Sequence, residues 1–268
     1  MKRFNSAAVL YGLLVLALLI AKVLAPTASF PEWLSDLTVL RMGAAAKILF
    51  LGLSAFFTHQ AATSFEADNP ARPAWRLLGI GLAGFTLGQC YLGFHPLVLA
   101  QATPYPSLAD IAFMVAYPFV LVAFWWFIRA YRESGLPVGS RGEHGLLALA
   151  AAAVFAAIAY VALGPVSRAA APPLEKALNI AYPSFDFLIL IPLVILLRIT
   201  LRFRGGRIWT IWAALLAGFV SMGAGDILYS YFVTLGQAWL ESLIDVLFLI
   251  SYILVSQAAL KQCELLES

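Results

Sequence analysis

The chain alternates long apolar runs with short polar breaks rich in Arg, Pro, Gly and Ser. Eight apolar runs of 17 to 26 residues stand out, at 6–24, 43–59, 77–94, 108–128, 145–164, 178–201, 208–233 and 239–260. A bilayer core about 30 Å thick takes roughly 20 apolar residues as a helix but only about 9–11 as a barrel strand. With no water to bond, the backbone inside it must close its own hydrogen bonds. These runs are too long for strands, so the pattern predicts an all-α integral membrane protein with eight transmembrane helices. The first run follows Met1-Lys2-Arg3, as a signal peptide would. Its apolar core is longer than such a peptide needs, and Lys22 and Pro26 stand where a small-residue cleavage site belongs. It is read as a helix.

Composition agrees: 62% of the 268 residues are hydrophobic and 12% charged, about half the charge of an ordinary soluble domain. Mean hydropathy is +0.89. A secreted disulfide scaffold and a disordered regulator are excluded. A net charge of +3 leaves no basic excess for nucleic acid. Cys90 and Cys263 have no metal-type spacing. His59, His95 and His144 stand scattered at segment ends, so no metal and no cofactor is expected.

Positive charge retained on the cytoplasmic side fixes orientation. With the N-terminus inside, 12 of the 17 basic residues fall on the inner face, with clusters at Arg72/Arg76, Arg129/Arg132 and Arg198–Arg207. Four, Lys22, Arg41, Arg168 and Lys176, fall outside, and Lys47 lies within a span. Both termini are therefore expected in the cytoplasm. The Arg198–Arg207 stretch reads as a positive-inside anchor.

An internal repeat is visible. Leu82-Ala83-Gly84-Phe85 recurs as Leu216-Ala217-Gly218-Phe219, an offset of 134. Ser107-Leu108-x-Asp110-Ile111-x-Phe113-x-x-x-Tyr117 recurs as Ser242-Leu243-x-Asp245-Val246-x-Phe248-x-x-x-Tyr252, an offset of 135. The expected architecture is two four-helix halves, residues 1–132 and 145–262. Four spans per half make the repeats parallel, with a crevice between them for a ligand. Tyr182-Pro183-Ser184-Phe185-Asp186 echoes the Tyr105–Asp110 segment and reads as the same device reused.

Charge inside a membrane span is costly and marks function by default. Lys47, Asp110, Asp186, Asp226 and Asp245 qualify, all toward the outer half. Ser107/Asp110 and Ser242/Asp245 also read as capping boxes. Asp226, deep in the seventh span within Gly223-Ala224-Gly225-Asp226, has no capping role open to it. Its small neighbours admit a close helix. Lys47 is the only cation at similar depth, and a pair with Asp226 or Asp186 is expected. Trp33, Trp75, Trp125, Trp126, Trp209, Trp212 and Trp239 read mostly as interfacial anchors. No nucleophile elbow, zincin, P-loop or dinucleotide motif is present.

Pro104-Tyr105-Pro106-Ser107-Leu108-Ala109-Asp110 through Pro118, Gly225-Asp226-Ile227-Leu228-Tyr229 and the Asp245–Tyr252 segment resemble a known arrangement. It is the multi-helix membrane region preceding GGDEF and EAL domains in bacterial cyclic-dinucleotide regulators, matched over roughly residues 75 to 260. The resemblance implies an inner-membrane sensing or anchoring module with a lipid bilayer around it and a cytoplasmic signalling partner. A homodimer is compatible with it. The sequence ends at Lys261-Gln262-Cys263-Glu264-Leu265-Leu266-Glu267-Ser268 with no output-domain motif, so cyclase activity is not implied. Either a stand-alone relative acting through a partner or the membrane part of a longer protein is expected. Lys47, Asp110, Asp186, Asp226, Asp245 and Tyr229 are the candidate ligand-binding residues. A small transporter and an aspartate-based intramembrane hydrolase are the alternatives.

Overall fold

A computed structural model describes residues 2–24, 35–101, 103–234 and 241–267. Among them there are helices and connections but no strands. The helices are α1 (Lys2–Leu24), α2 (Asp36–Ser64), α3 (Arg72–Phe94), α4 (Leu108–Glu133), α5 (Arg141–Ile158), α6 (Gly164–Arg168), α7 (Pro173–Thr200), α8 (Arg207–Thr234) and α9 (Glu241–Leu266). A π-turn at Ala159–Leu163 joins α5 and α6 into one span, which makes eight helices long and apolar enough to cross a membrane.

Several helices begin before the hydropathy does, because the polar residues that interrupt the apolar runs are also helix starters. Ser35 caps α2 by accepting from the Thr38 amide at 3.3 Å. Proline stands in the first turn of α3 and of α7. Ser140 and Glu143 form a capping box at α5. Trp33, Trp239 and the side chain of Ser242 lie outside the described residues, so the capping box read at Ser242/Asp245 falls there too.

Six helices form a closed ring in the order α2, α3, α4, α7, α8, α9 and back to α2. The three ring helices of the first half therefore stand side by side, followed by the three of the second. α1 packs outside against α9 and α2, while α5 and α6 lie outside against α7 and α8. Asn5 near the start of α1 exchanges hydrogen bonds of 3.1 and 3.0 Å with Gln257 late in α9. Those two helix ends thus share one end of the bundle.

Glycine sets the helix spacing where the repeat motif recurs. A methyl on Gly84 would stand 2.8 Å from the Ala116 Cβ, so α3 meets α4 backbone to backbone. A methyl on Gly218 would stand 2.9 Å from Val255 and 3.2 Å from the Ser251 carbonyl, closing α8 on α9 in the same way. Small residues at such crossings are the main packing device where lipid cancels the hydrophobic drive between helices.

Trp75 and Trp212 are each 2% exposed, packed inside the ring rather than anchoring it at the lipid interface. They flank Phe127, with ring centroids 4.9 and 5.0 Å away. The Trp212 indole donates to the Tyr131 hydroxyl at 2.7 Å. Phe124 and Phe219 meet edge to face just above, both sealed from solvent. Together these rings plug the end of the bundle that holds Asn5 and Gln257. Trp125 and Trp126 are exposed, as an anchoring role requires.

Replacing Gly84 or Gly218 by Leu overpacks a helix crossing and is expected to destabilise by about 2 kcal/mol. Gly145→Ala, with open space around it, should be neutral or stabilising by up to about 1 kcal/mol. Unfolding of the three purified variants in detergent checks both.

Candidate functional site

The ring is not filled throughout. At the end opposite Asn5 and Gln257 it holds a half-enclosed cavity of about 300 Å³, lined by side chains from all six ring helices and from the connection between α3 and α4. That connection begins with a π-turn at His95–Leu99 and passes Ala100, whose φ of 53° is left-handed. It is tied down at Pro96, whose carbonyl accepts from the Arg41 Nε at 3.0 Å, and at Thr103, whose hydroxyl donates to the Leu92 carbonyl at 2.9 Å. Tyr105 then hangs over the cavity and donates to the Asn179 Oδ1 at 2.6 Å. Burial raises the Tyr105 phenol above its ordinary range, which keeps it a donor.

Five of the six candidate residues line this cavity: Lys47, Asp110, Asp226, Tyr229 and Asp245. Asp186 does not. It is 1% exposed, behind the wall, and Gly223 makes room for it: a methyl there would stand 3.1 Å from the Asp186 Cβ.

Contrary to the expectation from sequence, Lys47 pairs with neither Asp226 nor Asp186. Its Nζ donates to the Asp245 Oδ1 at 2.5 Å. The reason is topology: α2 is a neighbour of α9 in the ring, whereas Asp226 and Asp186 sit on α8 and α7. Asp110 does two jobs. One oxygen accepts from the Ser107 amide at 2.5 Å, completing the capping box of α4, and the other accepts from the Tyr182 hydroxyl at 2.6 Å. Cap and cavity wall are the same side chain.

The Tyr182–Asp110 pair repeats the Lys47–Asp245 pair. Asp110 and Asp245 are 135 residues apart, and so are Lys47 and Tyr182. In each half a carboxylate at the start of one helix is met by a side chain from the other half, an ammonium in one case and a phenol in the other. Phe113 and Tyr117 line the cavity, as do their repeat partners Phe248 and Tyr252. The sequence reading missed Lys47/Tyr182 because the two are chemically unlike; the constant offset was the available signal.

Asp226 and Asp186 have no counterparts in the first half, where the same offsets fall on Leu92 and Leu51. They meet at Tyr117, whose hydroxyl lies 2.8 Å from the Asp186 Oδ1 and 3.3 Å from the Asp226 Oδ2. The Asp186 Oδ2 is buried without a hydrogen-bond partner among the described residues. Behind this cluster, Ser230 donates to the backbone carbonyls of Asn179 and Asp226, both at 2.9 Å, and locks α7 to α8. The echo of the capping motif in Tyr182–Asp186 is therefore not the same device. α7 begins at Pro173, so Asp186 lies more than three turns inside a helix and caps nothing.

His95 and His144 each contact a backbone carbonyl, at 3.2 and 2.6 Å, and are far apart in the fold. Among the described residues no group of His, Cys, Asp or Glu could hold a metal ion.

No family model matches this chain, and neither does any curated protein or solved structure. The assignment that the fold itself supports is a multi-pass helical membrane protein.

Lys47→Met strands the largely buried Asp245 carboxylate and is expected to destabilise by about 3 kcal/mol, the low end for a broken buried pair. The double variant Lys47→Met/Asp245→Leu should recover most of that loss. A double-mutant cycle on unfolding in detergent measures it; additive losses would rule out the pair as a structural tie.

Proposed function

We propose that this chain is the ligand-binding input module of a bacterial membrane signalling system. Both termini lie in the cytoplasm and the cavity opens to the outside. The observation that carries the reading is the cavity itself: a void within a ring of six helices, walled by aromatic rings and carboxylates, at one end of a bundle whose other end is packed shut. The distribution of basic residues supports the orientation, and the likeness to membrane regions of cyclic-dinucleotide regulators supports the role.

A signal has a physical route in this reading. Asp245, Phe248 and Tyr252 line the cavity from the first half of α9, and the same helix continues to Leu266 at the plugged end. A ligand that favours one position of α9 over another shifts that end of the helix with it. A transporter would have to part the Phe124, Phe219, Phe127, Trp75 and Trp212 rings to complete a path, which makes binding the better reading of this arrangement.

One observation favours hydrolysis as the second reading: Asp186 and Asp226 share the Tyr117 hydroxyl, and two adjacent carboxyl groups are a means of general acid–base catalysis. Against it, Asp186 is sealed from the cavity, so a molecule held there reaches Asp226 alone.

Purified protein is to be screened by thermal unfolding against a broad panel of neutral, anionic, cationic and lipid-like solutes. At least one compound should stabilise it, by about 2.7 kcal/mol at a hundred times its Kd. Ala44→Trp, which fills the cavity, should abolish the effect. A panel with no stabilising compound, or stabilisation unchanged in Ala44→Trp, refutes the input reading. Ligand flux in proteoliposomes transfers the case to transport, and turnover lost in both Asp186→Asn and Asp226→Asn transfers it to hydrolysis. For the orientation, a C-terminal fluorescent-protein fusion should glow in cells while an alkaline-phosphatase fusion at the same point stays inactive.

A further inference from the structure

The cavity's polar groups are unequally provided for. Asp110 accepts from a backbone amide and a phenol, and Asp245 holds the Lys47 ammonium. Asp226 has the shared Tyr117 hydroxyl at 3.3 Å and, behind it, the neighbouring Asp186 carboxyl, and among the described residues no cation lies within ion-pair distance of it. A carboxylate facing a void in a membrane bundle, with an incomplete set of donors, is an acceptor awaiting one.

The walls around it are aromatic. Tyr105 and Tyr229 meet edge to face with centroids 5.6 Å apart, and Phe113 meets Tyr182 in the same way at 6.3 Å. Phe248 and Tyr252 stack at 6.2 Å, completing the lining on the α9 side. Faces of aromatic rings attract cations and offer nothing to anions, and rings grouped about a carboxylate are the usual means of holding an organic ammonium. Among the described residues Lys47 is the one basic side chain lining the cavity, and it is engaged by Asp245, which leaves none of them as a cationic partner for an anionic ligand. The Lys47 pair also shows the cavity already seating one ammonium ion against a carboxylate.

Resting on the input reading above, we propose that the ligand is a small organic cation, an amine or quaternary ammonium with an apolar body. Its charged nitrogen lies at Asp226 and its carbon groups against Tyr105, Tyr229, Tyr182, Phe113 and Phe248. The volume, at the low end for small-molecule sites, sets the size. The ammonium can belong to a free solute or to a lipid headgroup, and the two sources share this chemistry.

The test uses the full chain in nanodiscs of phosphatidylglycerol alone, with binding followed by thermal unfolding and by calorimetry. The probes are phenethylamine and benzyltrimethylammonium, set against the neutral 3-phenylpropanol and the anionic phenylacetate. The cations should bind saturably and the other two should not. Asp226→Asn and Tyr229→Ala should each weaken cation binding on the order of 10-fold, while Asp226→Asn keeps an unfolding temperature close to the parent's. Lys47→Met, by freeing Asp245, should strengthen cation binding; an anion site would instead be lost in that variant. Nanodiscs containing phosphatidylethanolamine report the source: competition with phenethylamine there marks the headgroup as the occupant, and its absence marks a free solute.

Preference for phenylacetate or 3-phenylpropanol, or cation binding unaffected by Asp226→Asn, overturns the cation assignment. The input reading survives that result if Ala44→Trp still abolishes binding. If no probe binds and the broad panel also fails, both fall together.

Discussion

The constraint on which this bundle depends is that a carboxylate inside a bilayer must be given its donors by the protein. Four aspartates lie within the spans at the cavity end, and their donors come mostly from other helices. Lys47 of α2 serves Asp245 of α9; Tyr182 of α7 serves Asp110 of α4; Tyr117 of α4 serves Asp186 of α7 and Asp226 of α8. Each such contact spans from one half of the sequence to the other. The crossings within a half are made differently, by Gly84 against Ala116 and by Gly218 against Val255 and Ser251. The ring thus has two kinds of joint: close glycine crossings within the halves, and between them carboxylate pairs at the cavity end with aromatic packing and the Asn5–Gln257 exchange at the other.

That division also explains where the interior is solid. Aromatic rings fill the end bearing Asn5 and Gln257, where the Trp212 indole donates to the Tyr131 hydroxyl. At the other end the side chains are held apart by the geometry of their hydrogen bonds, and the remaining space is the cavity. Packing a carboxylate like a leucine is not open to the chain: the polar ends must point at their donors, and the apolar bodies cannot then close the gap.

Much of this was legible in the sequence. Eight spans follow from the length of the apolar runs, and the cap at Ser107/Asp110 follows from spacing. Of the five charges inside the spans, which a membrane leaves few reasons to tolerate, four line the cavity and Asp186 lies behind its wall. What sequence could not give was who pairs with whom. Lys47 was matched to Asp226 by depth, yet depth says nothing of which helices are neighbours around a ring. Tyr182–Asp186 resembles the Tyr105–Asp110 cap in sequence, but it lies inside α7, where a proline within a long apolar helix is tolerated when neighbouring helices support it. Trp75 and Trp212 were read as anchors from their position near span ends, where a buried ring and a lipid-facing one look alike until the neighbours are known.

The two kinds of joint carry an implication for how the chain came to be assembled and how it comes apart. Gly84 and Gly218 make close crossings within the two halves, and the connection between α4 and α5 runs through Gly135 and Gly139, both at positive φ. Severing the chain there would leave two fragments that each keep their close crossings. They would meet through the pairs Lys47–Asp245 and Tyr182–Asp110. Each pair sets a donor of one half on the carboxylate of the other, and because a second copy of the same half would present the same donor and the same carboxylate, these contacts join the halves without setting the choice of partner.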